Sequence, residues 1–167
     1  SQMFFVRSAS PRDVSAIRDV LAETWRATYA PFYGVAKVEE IIADWHSEAA
    51  IRDSMARPNG EFLVADDGKQ IGGMAFASHA PGTHVVSLHQ LYVRPECQGL
   101  GIGRDLFAEI ETCFPGAQTL TLEVDPGNEP AIAFYQSHGM EQTGSTDNCG
   151  KDQSGIPAVI MSKPLLG

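Results

Sequence analysis

Basic residues are scarce in this sequence: 12 Lys and Arg stand against 21 Asp and Glu, a formal net charge of −9. No Lys/Arg run exists to grip a phosphate backbone, so no nucleic-acid partner is expected. An acidic surface mildly favours cationic substrates, and as often it simply keeps a protein soluble. Cysteine is scarce too, and Cys97, Cys113 and Cys149 are widely spaced. No CxxC or Cys/His ligand spacing occurs, so neither a disulfide framework nor a metal site is expected; the default is a cytoplasmic, reducing setting. The five histidines (His46, His79, His84, His89 and His138) show no HExxH spacing. No apolar run approaches the ~20 residues of a membrane span, so no membrane partner is expected. "MFFVRSASPRD" turns polar too soon for a signal peptide. The 167 residues fit one domain, read over 3–167 without Ser1 and Gln2.

What is present is a succession of periodic segments. Phe4 to Arg7 is a short β-like run. "SPRDVSAIRDVLAETWRATY" has an amphipathic helical pattern, with Ser10 as N-cap, Pro11 at the first helical position and Asp13 completing a capping-box-like pattern. "APFYG" is expected to break that helix. "VAKVEEIIADWHSEAAIRDSMA" is a second helical region, split near His46, and "RPNG" ends it. "EFLVADD" and "KQIGGMAFASH" flank Asp67-Gly68, a hairpin signal. Gly72 and Gly73 inside the second strand predict a bulge or a close backbone approach. "HVVSLHQLYVRP" is the longest strand. "RDLFAEIETCF" is a helix with Leu106, Phe107 and Ile110 inward, and "AQTLTLEVD" a strand. "PGNEPAIAFYQSHG" is a short helix capped by Asn128 and closed by Gly139. "MEQTGST" and "IPAVIMSKPL" are the last strands, joined by a polar loop at 147–155.

The order β-α-α-β-β-β-α-β-α-β-β predicts a mixed α/β fold. Its six- to seven-stranded sheet should be mostly antiparallel with helices on both faces, and the strands flanking the 101–114 helix should lie parallel.

Between the longest strand and that helix lies "CQGLGIGR", residues 97–104. A helix start carries unpartnered N–H groups and the positive end of the helix dipole, and glycines let an anion approach them. A Walker loop needs Lys-Ser/Thr after its last glycine, which is missing here. A dinucleotide fingerprint needs GxGxxG, and Gly103 comes one residue too early. The remaining pattern is Q-x-x-G-x-G, at Gln98, Gly101 and Gly103. It resembles the pyrophosphate loop of the GCN5-related N-acetyltransferases (GNAT), which bind acetyl-CoA. "LYVRPECQGLGIGRDLF" has the family's strand, exit and loop, and "LEVDPGNEPAIAFYQSHGM" is similar to its second signature. Arg7, Ala9 and Asp13 resemble its first strand and helix. The likeness covers nearly the whole chain, least between 30 and 60.

The resemblance implies an acyl-CoA N-acyltransferase fold. Its activity would be transfer of acetyl from acetyl-CoA to a primary amine of a small molecule or peptide, by direct attack in a ternary complex without metal. It implies that the backbone of Leu91, Tyr92 and Val93 holds the pantetheine arm. Gln98, Gly99, Leu100, Gly101, Ile102, Gly103 and Arg104 would surround the pyrophosphate, and Asn128 would hydrogen-bond the arm. Tyr135, with Phe134 beside it, would lie near the coenzyme sulfur, its phenol suited to protonating the leaving thiolate. Three readings of the base stay open. Glu123 resembles the proton acceptor of the ribosomal-protein and protein N-terminal branch. His89 has an imidazole suited to neutral pH. A water chain with no single base is the third. "WRATYAPFYG" is similar to the polyamine and small-amine branch, so Trp25, Tyr29, Phe32 and Tyr33 are the expected acceptor-binding aromatics. A homodimer through the last strands is a family expectation. A catalytically silent acyl-CoA-binding module of the same fold is the alternative.

Overall fold

The computed structural model describes residues 3–149 and 155–166. Ser1, Gln2 and most of the polar loop expected at 147–155 lie outside the described residues. Among the described residues, seven strands and five α-helices follow one another: β1 (Phe5–Ser8), α1 (Val14–Tyr33), α2 (Val35–Trp45), α3 (Glu48–Met55), β2 (Gly60–Asp66), β3 (Ile71–His79), β4 (Val85–Val93), α4 (Ile102–Thr112), β5 (Thr119–Val124), α5 (Glu129–Ser137), β6 (Glu141–Thr146) and β7 (Ala158–Pro164). The sheet order is β1-β2-β3-β4-β5-β7-β6. β4 and β5 are parallel, as a strand-helix-strand crossover requires, while β1–β2, β5–β7 and β6–β7 are antiparallel. The chain divides into two compact units, Ser1–Ala77 with Gln90–Cys113, and Ser78–His89 with Phe114–Gly167.

In the first unit the apolar face of α1, with Ile17 and Leu21, packs on Val64 of β2 and Met74 of β3, all at 4% exposure or less. The helix does not end at Tyr29. It runs through Pro31 and stops at Gly34, whose φ of 81° only glycine adopts without strain and whose N–H donates to Ala30 O. Pro31 is exposed and in the last turn, so its missing N–H and ring disturb little.

The start of α1 is fixed by charge. Arg7 donates from Nη1 and Nη2 to Asp13 Oδ2 and Oδ1 at 2.8 and 2.9 Å, and from Nε to Asp66 Oδ2 at 3.0 Å. The Ser10 N–H donates to Asp13 Oδ2 at 2.8 Å, the capping contact expected from the sequence. The Arg7 guanidinium therefore holds the Asp13 carboxyl down at about 2 against 3.8. A depressed carboxyl contributes stability above its unfolded pKa and loses it as pH falls through the folded one. Asp13→Asn should lower stability at pH 7 by about 2 kcal/mol in denaturant melts, and the variant should lack the loss that wild type shows below pH 4.

In the second unit β5 alternates, burying Leu120, Leu122 and Val124, and β7 lies between β5 and β6. Asn128 Oδ1 accepts from Ala131 N–H and caps α5. Gly139 follows its last turn at φ 89°, and Lys163 Nζ donates to His138 O at 2.7 Å. Among the described residues no helix is long and apolar enough to cross a membrane.

Candidate functional site

The glycine loop belongs to the first unit. Arg94 closes β4: its N–H donates to Gly72 O at 2.8 Å, its Nε to Ile71 O at 2.7 Å and its Nη1 to Glu23. The chain then makes a tight turn at Pro95–Cys97 and enters the loop, where Gly99 and Gly101 have φ of 82° and 85°. Gly103 is already inside α4. Gly101 is the N-cap of α4, so no side chain caps the first turn. Ile102 and Leu106 are buried beneath, while Gln98, Leu100 and Arg104 are exposed. The Arg104 guanidinium folds back over Gly101, within 2.7 Å of where a Cβ would sit. Left-handed glycines, an uncapped helix start and a nearby guanidinium form a cradle whose chemistry fits a pyrophosphate. Gln98 Nε2 reaches back to Val93 O at 3.4 Å.

Gly72 and Gly73 serve this loop. A Cβ on Gly73 would lie 2.8 Å from Ile102 Cγ2 and 2.9 Å from Tyr92 O, and one on Gly72 would lie 2.6 Å from Phe4 Cε1. The expected close approach is thus β3 against the end of β4 and the start of α4. Gly73→Ala must push Tyr92 or Ile102 outward. We expect a loss of about 2 kcal/mol in a denaturant melt and a roughly tenfold rise in KM for acetyl-CoA.

The second unit holds the ionisable candidates. The β4–β5 pairing runs from Val85–Thr119 to Leu88–Leu122, and both strands continue past it. The next residues are His89 and Glu123, both exposed, on the face opposite the buried Leu88 and Leu122. His89 Nε2 lies 2.6 Å from Ser78 Oγ, and Ser78 is buried. Tyr135 is buried on α5, and its carbonyl accepts from the N–H groups of His138 and Met140, both at 3.0 Å. Phe134 is half-buried, edge-on to Tyr135 with ring centroids 5.4 Å apart.

The aromatic segment of the first unit divides. Trp25 and Tyr29 are buried, with ring centroids 4.3 Å apart. Trp25 also meets Trp45 and His46. Tyr33 is half-buried and Phe32 is exposed at the end of α1. His46 is the residue that periodicity alone did not single out. It is the C-cap of α2, four residues after the buried Ile42, and is itself buried. Burial pulls its imidazole down to about 4. Gln90 Nε2 lies 3.4 Å from its Nδ1. Among the described residues, its Nε2 and the Trp25 Nε1 are buried without a protein partner.

The thiols are poor nucleophiles. Burial pushes Cys97 up, Cys113 up to about 12 and Cys149 up to about 11.

Comparison with known proteins follows the same lines. The sequence model of the acetyltransferase (GNAT) family matches residues 16–140. The peptidyl-lysine N-acetyltransferase YjaB of Salmonella typhimurium is 29% identical over 84% of this chain and 79% of its own. The spermidine N(1)-acetyltransferase of Thermoplasma acidophilum is 27% identical over 85% of this chain and 92% of its own. The crystal structure of PaiA N-acetyltransferase from Thermoplasma acidophilum in complex with coenzyme A superposes with a TM-score of 0.85 at 24% identity, over 97% of this chain and 99% of that one.

Proposed function

Because this chain belongs to the acetyltransferase (GNAT) family and is an acyltransferase, we propose that residues 3–167 act as one domain that passes the acetyl group of acetyl-CoA to a primary amine by direct attack in a ternary complex. The observation that carries this reading is the loop Gly99–Gly103 at the uncapped start of α4. When bound, acetyl-CoA supplies an acetyl group already activated as a thioester.

This chain's residues would do the rest. The N–H groups of Gly99 to Arg104 hold the pyrophosphate, and the Arg104 guanidinium adds charge at the loop's rim. The backbone of Leu91, Tyr92 and Val93 hydrogen-bonds the pantetheine arm, and Asn128 assists from the start of α5. The Tyr135 hydroxyl, with Phe134 packed beside it, donates a proton to the departing sulfur. Glu123, His89 or a water chain receives the proton that the amine loses. An amine with a pKa near 10, such as a lysine, is charged at neutral pH and needs that help; an α-amino group needs less. The raised thiols of Cys97, Cys113 and Cys149 support direct attack over an acetyl-cysteine route.

The acceptor is read as cationic. The two relatives named above act on peptidyl lysine and on spermidine, both primary amines, and this chain carries a net charge of −9. Phe32 and Tyr33, the more exposed of the aromatic set, are its proposed contacts, with Trp25 and Tyr29 packed behind them.

Thermal unfolding with added ligands tests the coenzyme assignment. Acetyl-CoA at about a hundred times its Kd should stabilise by about 2.7 kcal/mol. Equal millimolar NAD or ATP should leave the midpoint unchanged. Stabilisation by NAD or ATP without any by acetyl-CoA would contradict the reading.

A further inference from the structure

We propose that Glu23 on α1 and Arg94 at the end of β4 are positioning residues for the coenzyme, fixing the exit of β4 so that the loop Gly99–Gly103 is set for a pyrophosphate before one arrives. The inference rests on the acetyl-transfer reading. That reading uses the loop's own N–H groups and gives neither residue a role.

Arg94 is the point at which three elements meet. Its main-chain N–H donates to Gly72 O at 2.8 Å and its Nε to Ile71 O at 2.7 Å, so both its backbone and its side chain are bonded to the start of β3. Its Nη1 donates to Glu23 Oε2 on α1. Its carbonyl accepts from the Cys97 N–H at 2.9 Å, which closes the tight turn leading to Gln98 and the loop. The residue therefore bonds forward into the loop's first turn and backward to β3 and α1.

Burial decides how strongly the carboxylate acts. An exposed pair is worth little: Arg52 and Glu48 on α3 are both more than half exposed and 4.0 Å apart. The Arg94 side chain is only 13% exposed. Without its carboxylate it would keep a charge that water reaches poorly. Two carboxylates lie within reach. Glu96 is 3.9 Å away and belongs to the turn itself, so it cannot tie the turn to another element. Glu23 makes the direct bond and belongs to α1. The next cation along α1, Arg26, is engaged by Glu39 through two bonds of 2.9 and 2.8 Å.

The consequence is preorganisation. Gly99 and Gly101 sit at positive φ, and glycine loses more backbone freedom on ordering than any other residue. A loop that finds its shape only when the ligand arrives loses affinity to that ordering. Fixing the residue where the loop begins removes part of the loss. No proton or bond is exchanged at Arg94 or Glu23, so the chemical step should not feel their removal.

Amide hydrogen exchange read by NMR on the whole protein, without coenzyme, reports the order of the loop's first turn. Glu23→Ala should speed exchange at Cys97 and Gln98 about tenfold and leave Leu120 and Leu122 of β5 unchanged. Calorimetric titration should show the Kd for acetyl-CoA raised about tenfold, with a matching rise in KM and an unchanged kcat. Glu23→Gln keeps an oxygen for Nη1 without the charge and should recover part of the affinity. Arg94→Lys, which cannot bond Ile71 O and Glu23 together, should weaken binding as Glu23→Ala does. Glu96→Gln removes a charge of the same sign beside the same arginine and should not raise the Kd. An unchanged or lowered Kd in Glu23→Ala, unchanged exchange at Cys97, or an equal rise in Kd from Glu96→Gln overturns the proposal. So does a fall in kcat at constant KM. If wild type does not bind acetyl-CoA, the transfer reading fails and the proposal with it. If wild type binds and Glu23→Ala binds equally well, only the proposal fails.

Discussion

Tyr135→Phe should lower kcat about a hundredfold and leave KM for acetyl-CoA nearly unchanged. The substitution removes a single oxygen from a side chain whose surroundings are well fixed. α5 is capped at its start by Asn128 and tied at its end by Lys163 to His138 O. The Tyr135 carbonyl sits in the closing turn with two N–H donors, and Phe134 packs against the ring. The fold should therefore tolerate phenylalanine, and the loss should fall on the chemical step. A thiolate leaving into a site without an acid has no proton to collect, so the transition state alone is raised. Steady-state kinetics across pH check this. Wild type should lose kcat at high pH as the phenol ionises, and the variant should lack that limb. An unchanged kcat would remove Tyr135 from the chemistry and leave it an interior aromatic.

The second large effect is on stability. Between pH 7.5 and pH 4 the protein should lose about 3 kcal/mol that His46→Gln does not lose. His46 is 2% exposed, against Trp25 and beside Gln90, and burial holds its imidazole down to about 4 against an ordinary 6.5. In that interval the unfolded chain binds the proton and the folded chain does not. The contribution is therefore complete above pH 6.5 and declines as pH falls toward 4. The Asp13 contribution is lost in a lower window, from 3.8 down to about 2, so the two separate in a series of urea melts. Parallel slopes for wild type and His46→Gln would show that the ring is not what acid attacks. Gln90 lies on β4 one residue before Leu91, so protonating His46 should also loosen the strand proposed to hold the pantetheine arm.

Much of this was legible in the sequence, for physical reasons that can be named residue by residue. Ser10 with Asp13, and Asn128 with Gly139, are local signals, since a cap bonds within its own first turn and a left-handed glycine follows its own last one. The glycine loop was legible because spacing alone separates it from the Walker and dinucleotide loops. The parallel β4–β5 pair followed from the length of the connection between them. The end of α1 was not legible. Pro31 reads as a breaker, yet in the last exposed turn its missing N–H matters little, and Gly34 ends the helix instead. The insertion of β7 between β5 and β6 was hidden too, because strand order depends on pairing across the chain. So was the hydrogen bond between Ser78 and His89, two residues on different strands whose juxtaposition only the sheet creates. His46 left a faint trace, falling four residues after Ile42 just past the end of α2, but polarity masked it among the buried positions. Gly72 and Gly73 announced a close approach without saying to what; the answer is Phe4, Tyr92 and Ile102.

Acetyl transfer to an amine is tested most directly by incubating the protein with acetyl-CoA and a panel of amines. The panel should hold spermidine, a lysine-containing peptide and a peptide with a free N-terminal alanine, with CoA release and the acetylated amine followed together. The structure and the family predict that at least one primary amine gains an acetyl group in step with CoA release, and that Tyr135→Phe suppresses both. Tight acetyl-CoA binding with no acetylated product from any amine, and no CoA released above the rate without protein, would contradict it and leave a coenzyme-binding module with the same fold.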